Sequence, residues 1–99
     1  MKKILILFTL VGLNFVLADI KGIIQSIDSD KKTITINGTV IGVMPYTKIE
    51  QDSCGMGWDT PKKFVDLKQG DFVDIDLIYN NNMPIAEEIE IKCMKNRAY

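Results

Sequence analysis

Apolar and polar residues alternate with a period of two along most of this chain, the signature of half-buried strands. In "KTITIN", Ile34 and Ile36 fall on one face and Thr33 and Thr35 on the other. Asn37-Gly38 follows, a pair that tolerates positive φ at both positions and so predicts a two-residue type I′ hairpin returning through "TVIGVM". Asn37-Gly38-Thr39 also has the form of a glycosylation acceptor, but a tight turn accounts for the same residues. Upstream, "IKGIIQSID" predicts a first strand ended by the turn residues Asp28-Ser29-Asp30-Lys31. Downstream, "DFVDIDLIY" places Val73, Ile75, Leu77 and Tyr79 on one face and Asp74 and Asp76 on the other. "NNNMP" predicts a turn. The last strand, "IAEEIEIKC", puts Ile89, Ile91 and Cys93 inward and Glu88, Glu90 and Lys92 outward.

Between these strands, "TKIEQ" can continue the third strand. "PKKFVDLKQG" suits a short helix or 3-10 turn stopped by Gly70. Three strands, an irregular connection and two more strands predict an all-β protein, a small five-stranded Greek-key barrel of the OB type. Closure would protect edges that an open sheet exposes. An open β-sandwich fragment is the alternative. No internal repeat, low-complexity tract or linker interrupts the pattern.

The first eighteen residues break from it. "MKKILILFTLVGLNFVLA" has two lysines, an apolar run Ile4–Leu17 and Ala18 at the end, the three parts of a secretory signal peptide cleaved before Asp19. A membrane anchor is the competing reading, but the run is shorter than the roughly 20 residues a spanning helix needs. No cysteine follows it for lipid attachment. The expected organisation is a signal peptide over 1–18 and one domain over 19–99, in the periplasm or secreted, with no membrane span after cleavage.

Cleavage removes Lys2 and Lys3, so the basic count falls from 12 to 10 against 13 acidic residues, a formal charge of −3. That balance lacks the positive footprint of a nucleic-acid binder. A domain this small gains from a staple, and Cys54 and Cys93 are its two cysteines. In an oxidising compartment the simplest expectation is a Cys54–Cys93 disulfide, enclosing about 40 residues and contributing about 4 kcal/mol through loop closure.

"GIIQSID", "KKTITING", "PYTKI" and "DLKQGDFVDIDL" together resemble small exported bacterial barrel domains of unknown function. The same skeleton is similar to the periplasmic copper chaperones of silver/copper efflux systems, also OB-type barrels. That second resemblance implies Cu(I) held by one histidine and two methionines under a tryptophan face. This chain departs from the ligand set: it has no histidine, the methionine position beside the hairpin falls near Thr39, and Trp58 stands in an insertion after the third strand.

That insertion, "DSCGMGWDT", is the chain's densest chemistry. Extended, it would project Cys54, Met56 and Trp58 to one side. Thiolate and thioether are soft donors that select Cu(I), and Met44, Met83, Met94 and Cys93 could complete such a site. Gly55 and Gly57 favour a flexible loop instead. A disulfide would consume both thiolates, and a redox-active or intermolecular thiol is a third possibility. Redox catalysis lacks a C-x-x-C pair, and Asp52 and Asp59 would raise rather than lower a thiol pKa. The carboxylates Asp71, Asp74 and Asp76 lie along a strand, which offers too few oxygens for Ca²⁺. Ser53 has no histidine base, no S-x-x-K partner and no glycine-rich elbow. No phosphate loop or other cofactor motif is present.

The sequence therefore predicts a non-catalytic binding or accessory module of the cell envelope that uses no cofactor. It would act as a monomer on an envelope protein or small ligand through Trp58, Tyr46 and Phe64. A soft-metal carrier using Cys54, Met56 and further sulfurs is the alternative, and an inhibitor or stabiliser of an envelope enzyme a weaker third reading.

Overall fold

The structure, a computed structural model, describes residues 17–55 and 57–93. The predicted signal peptide lies outside the described residues except at its last two positions, and Met56 and Met94 lie outside them too. Six strands and one 3-10 turn follow in order: β1 Leu17–Asp28, β2 Thr33–Ile36, β3 Thr39–Gln51, β4 Thr60–Pro61, the turn Phe64–Asp66, β5 Phe72–Asn80 and β6 Met83–Ile91. The sheet order β2-β1-β5-β6-β3-β4 is closed by an added β2–β3 pairing. Five long strands thus form a complete ring, the predicted all-β barrel, and the two-residue β4 hangs on the end of β3.

Closure follows from local rules. Asn37 and Gly38 both take positive φ, 53° and 80°, and pair Ile36 with Thr39, as the type I′ expectation requires. A second turn of the same kind joins β5 to β6, with Asn81 at φ 56° and Asn82 at φ 66° between the paired Asn80 and Met83. The turn expected over "NNNMP" is therefore confined to its last two asparagines, and Met83 and Pro84 already belong to β6. Pro84 is tolerated there because it stands at the beginning of a strand.

The core is almost wholly aliphatic. Ile24, Ile34, Ile36, Ile41, Val73, Ile75 and Ile89 have no or almost no exposed surface, and among the described residues no polar side chain is buried with them. Ile34, Ile36, Val73, Ile75 and Ile89 are inward positions that alternation assigns on β2, β5 and β6, and Ile24 of β1 and Ile41 of β3 join them. Leu67, just past the 3-10 turn, also enters the core, while Phe64 and Tyr79 pack against it half-buried. A barrel interior of branched side chains, interdigitated without polar atoms, is what holds five strands in register.

Two departures from alternation position everything that follows. β3 and β6 run parallel, pairing Val43 with Ala86 and then Lys48 with Glu88, so β3 carries extra residues in a bulge over 44–47. Thr47 pins that bulge: its hydroxyl donates to the Ala86 carbonyl at 2.6 Å and accepts the Met44 N–H at 2.9 Å. At the other end, β1 starts three residues earlier than the pattern suggested, with Leu17 opposite Ile78 and Ala18 opposite Leu77. The strand therefore runs back across the predicted cleavage point. No helix among the described residues is long and apolar enough to cross a membrane.

Candidate functional site

The insertion after β3 folds back on itself. Cys54 has φ 61°, Gly55 81° and Gly57 111°, so the segment is a turn. Left-handed backbone at Cys54 and Gly55 is the loop that Gly55 and Gly57 favoured over an extended stretch, and Met56 lies outside the described residues.

Acidic side chains tie that turn. The Cys54 N–H donates to Asp52 Oδ1 at 3.0 Å and the Ser53 N–H to Asp59 Oδ1 at 3.3 Å. Asp52 pairs with Lys92 at 3.7 Å, and Lys92 also reaches Glu90 at 3.6 Å. Carboxylate oxygens of Asp52, Asp59 and Glu90 come within 4.8 Å of one another, already engaged by loop backbone and a lysine. A disulfide joins Cys54 to Cys93, with Cα atoms 5.3 Å apart. It anchors the loop to the residues just past β6, where the Asp52 N–H also donates to the Ile91 carbonyl at 2.8 Å. Cys93 is half-buried beyond the strand end rather than inside the strand.

What the clamp presents is Trp58, 88% exposed, on the far side of the turn. Tyr46, at the crest of the β3 bulge, is 64% exposed. Phe64 is different. It packs half-buried against the core, and Lys32 Nζ lies 5.5 Å from its ring centroid, a distance at which an ammonium is held by the π face. Of the three aromatics expected at a contact surface, two are exposed and the third is mainly a wall.

Two methionines outside the insertion lie over one glycine. Gly42 on β3 is covered by two methionines: a β-carbon there would stand 3.2 Å from the Met44 methyl and 4.0 Å from the Met83 methyl. Alternation alone could not show this, because Met44 and Met83 lie on different strands and meet only through the β3–β6 pairing.

On the outer surface of β1 and β5, Asp19 stands directly opposite Asp76, and carboxylate oxygens of Asp19, Asp74 and Asp76 fall within 4.8 Å. Protonated Asp76 donates a hydrogen bond to the Asp19 carboxylate, the largest of the effects that raise the Asp76 pKa from 3.8 to about 6. Partial burial and the charges of Asp19, Glu88 and Asp74 add to the shift. Lys21 approaches Asp74 at 3.9 Å. Sequence reading placed Asp74 and Asp76 on one polar face but could not see Asp19 beside them, since that contact depends on the β1–β5 register.

A third feature is a cavity of about 370 Å³ in the barrel wall, with Val43, Ile49 and Phe64 among its lining residues and Lys32, Lys62 and Lys63 around it. The spacing of single residues gave no signal for it.

The family profile described as "Domain of unknown function (DUF5666)" matches residues 21–90. The chain belongs to this family. The match spans the barrel of this DUF5666 protein from β1 nearly to the end of β6. No curated protein matches significantly. Among solved structures, that of CusF with Ag(I) from Escherichia coli is 18% identical with a TM-score of 0.58, covering 81% of this chain and 96% of that one. Apo-CusF from Escherichia coli is 20% identical with a TM-score of 0.55, covering 80% and 90%. A further Ag(I)-bound CusF crystal structure is 18% identical at 0.56, covering 77% and 97%. At such identity the DUF5666 chain shares the small-barrel fold with CusF, and fold alone assigns no function.

Proposed function

We propose that this DUF5666 protein is a non-catalytic binding or accessory module of the cell envelope. Residues 1–18 export it, and residues 19–99 work in the periplasm as one domain. The disulfide supports an oxidising compartment, since such bonds persist there and are rare in the cytosol. The observation that carries the binding role is Trp58: a large aromatic left 88% exposed at the tip of a loop held by a disulfide. Rigid exposed aromatics offer contact area at low entropic cost and dominate the energetics of recognition surfaces. Tyr46 extends the surface onto the barrel.

The test is photo-crosslinking in the periplasm, with a benzophenone amino acid in place of Trp58, Tyr46 or, as control, the exposed Lys31. Adducts of one shared mass from positions 58 and 46, absent from 31, are expected. No adduct from either position, or equal labelling from 31, would overturn the reading.

A soft-metal carrier is the second reading, and the Met44–Met83 approach over Gly42 favours it, together with the fold shared with Ag(I)-bound CusF. The donors fit only in part. The chain has no histidine, and the Cys54 sulfur proposed with Met56 is held in the disulfide. Among the described residues two thioethers remain, soft but uncharged. Calorimetric titration with Ag(I) discriminates: one equivalent bound, lost in Met44→Leu and in Met83→Leu, supports this reading, and no heat above buffer removes it.

A further inference from the structure

The β2–β3 and β3–β4 pairings leave an opening in the barrel wall. β2 pairs with β3 only as far as Thr33 opposite Gly42, and β4 begins again only at Glu50 and Gln51. The last backbone bonds on either side are Val43 N–H to the Lys32 carbonyl, 2.9 Å, and Lys62 N–H to the Ile49 carbonyl, 2.8 Å. Between them, residues 44–48 of β3 have no strand neighbour on that side among the described residues. Val43 and Ile49 stand opposite Ala86 and Ile89 of β6, three residues apart at about 3.3 Å each, so the opening spans roughly 10 Å along the sheet.

The chemistry at this opening is one-sided. Its floor is apolar, from Val43, Ile49 and Phe64, and its three charged lining residues are Lys32, Lys62 and Lys63. Among the described residues the ion pairs of this chain use Lys21, Lys48 and Lys92, so these three lysines have no carboxylate partner. Of the acids close by in sequence, Asp66 accepts from the Lys63 backbone N–H at 2.8 Å and Asp59 from the Ser53 N–H at 3.3 Å. Lys32 is steadied by the Ser29 carbonyl at 2.8 Å and by the Phe64 ring. Three unpaired cations at one mouth stand out on a chain whose formal net charge is −1.

We propose that this opening takes an extended, acidic peptide segment of a partner protein. About three residues of an extended segment would fill the line that β2 leaves and β4 resumes, a short form of strand addition, with the rest of the segment over the mouth. Alternate side chains would enter the apolar floor, and carboxylates on the others would meet Lys32, Lys62 and Lys63. The proposal rests on the reading of Tyr46 and Phe64 as part of a contact surface, and it adds the class of partner: acidic and unstructured before binding.

The probe is a fluorescein-labelled hexapeptide of alternating glutamate and valine, followed by anisotropy against the intact disulfide-bonded protein. Binding is expected to weaken at least tenfold between 50 and 500 mM salt, as screening demands. It should also weaken at least tenfold in Lys62→Glu/Lys63→Glu and for a peptide with glutamine in place of glutamate. The melting temperature of the double variant reports that the barrel is intact, and Lys62→Gln/Lys63→Gln should give a smaller loss. Three outcomes overturn the proposal: no binding at millimolar peptide, equal binding of a lysine–valine peptide, or dodecanoate binding that the peptide cannot displace. If the peptide fails while Tyr46 and Trp58 still crosslink a partner, only the class of ligand is lost. If the crosslinks fail as well, the contact surface itself is wrong.

Discussion

Gly22 on β1 passes so close to Ile36 on β2 that a β-carbon added there would lie 2.9 Å from Ile36 Cγ2 and 3.0 Å from Asn37 Oδ1. Ile36 is completely buried, and Asn37 begins the hairpin and donates from its side chain to the Lys21 carbonyl at 3.2 Å. Neither can retreat freely. Gly22→Ala is therefore expected to destabilise the barrel by about 1–3 kcal/mol, the usual range for an overpacked methyl. Thermal unfolding followed by circular dichroism would measure it, and a melting temperature equal to wild type would show that the β1–β2 contact is slack.

The Cys54–Cys93 bond closes a loop of 39 residues in sequence separation and touches the core with neither half-buried cysteine. Cys54→Ser/Cys93→Ser should keep the barrel and lose roughly 2–4 kcal/mol, chiefly by freeing the unfolded chain. Urea titration of the two forms gives the difference as a change in midpoint with the barrel's circular dichroism retained. A chain already unfolded without urea would mean that the aliphatic core cannot stand without its staple.

Asp76 makes stability depend on pH in an unusual sense for a carboxylate. Its pKa is raised from 3.8 to about 6, first by the hydrogen bond with Asp19, so the fold favours the protonated form. Stability from this source is fully present below about pH 4 and is lost as pH rises through about 6. Melting temperatures from pH 4 to 7 should therefore fall more in wild type than in Asp76→Asn, which keeps a hydrogen-bonding side chain without the charge. Parallel curves would refute the pairing with Asp19. In a chain that begins at Asp19, the new α-ammonium would stand beside these carboxylates and the difference should shrink.

Trp58→Ala should leave stability within about 0.5 kcal/mol of wild type, as expected for an exposed side chain, while removing crosslinking from Tyr46 if the two share a partner. A larger loss in urea would place Trp58 in the fold instead of on its surface.

Much of this architecture was legible from alternation alone. Ile34 and Ile36, Val73 and Ile75, and Ile89 and Ile91 each read as inward pairs, and each is buried. Asn37-Gly38 announced its turn because few residues accept positive φ twice in succession. The bulge at 44–47 was not legible. It arises where a parallel neighbour with fewer residues meets β3, and Thr47 reveals its role only once Ala86 is beside it. Phe64 was expected on the surface because a loop aromatic carries no period, and the 3-10 turn carried it half into the core. The carboxylate cluster, the methionines over Gly42 and the lysines at the wall all join residues from separate strands, and single-strand patterns hold no information about such meetings.

The ring also sets a timetable for folding. Its two asparagine-containing turns join neighbouring strands, so each hairpin can form within about 1–10 μs. Closure needs Ile20 to find Ile75 and Gly42 to find Ile85, contacts that span much of the chain. Domains dominated by such distant pairings fold in milliseconds to seconds. During that interval the edges of both hairpins stand unpaired, and Cys54 must wait for Cys93 to arrive.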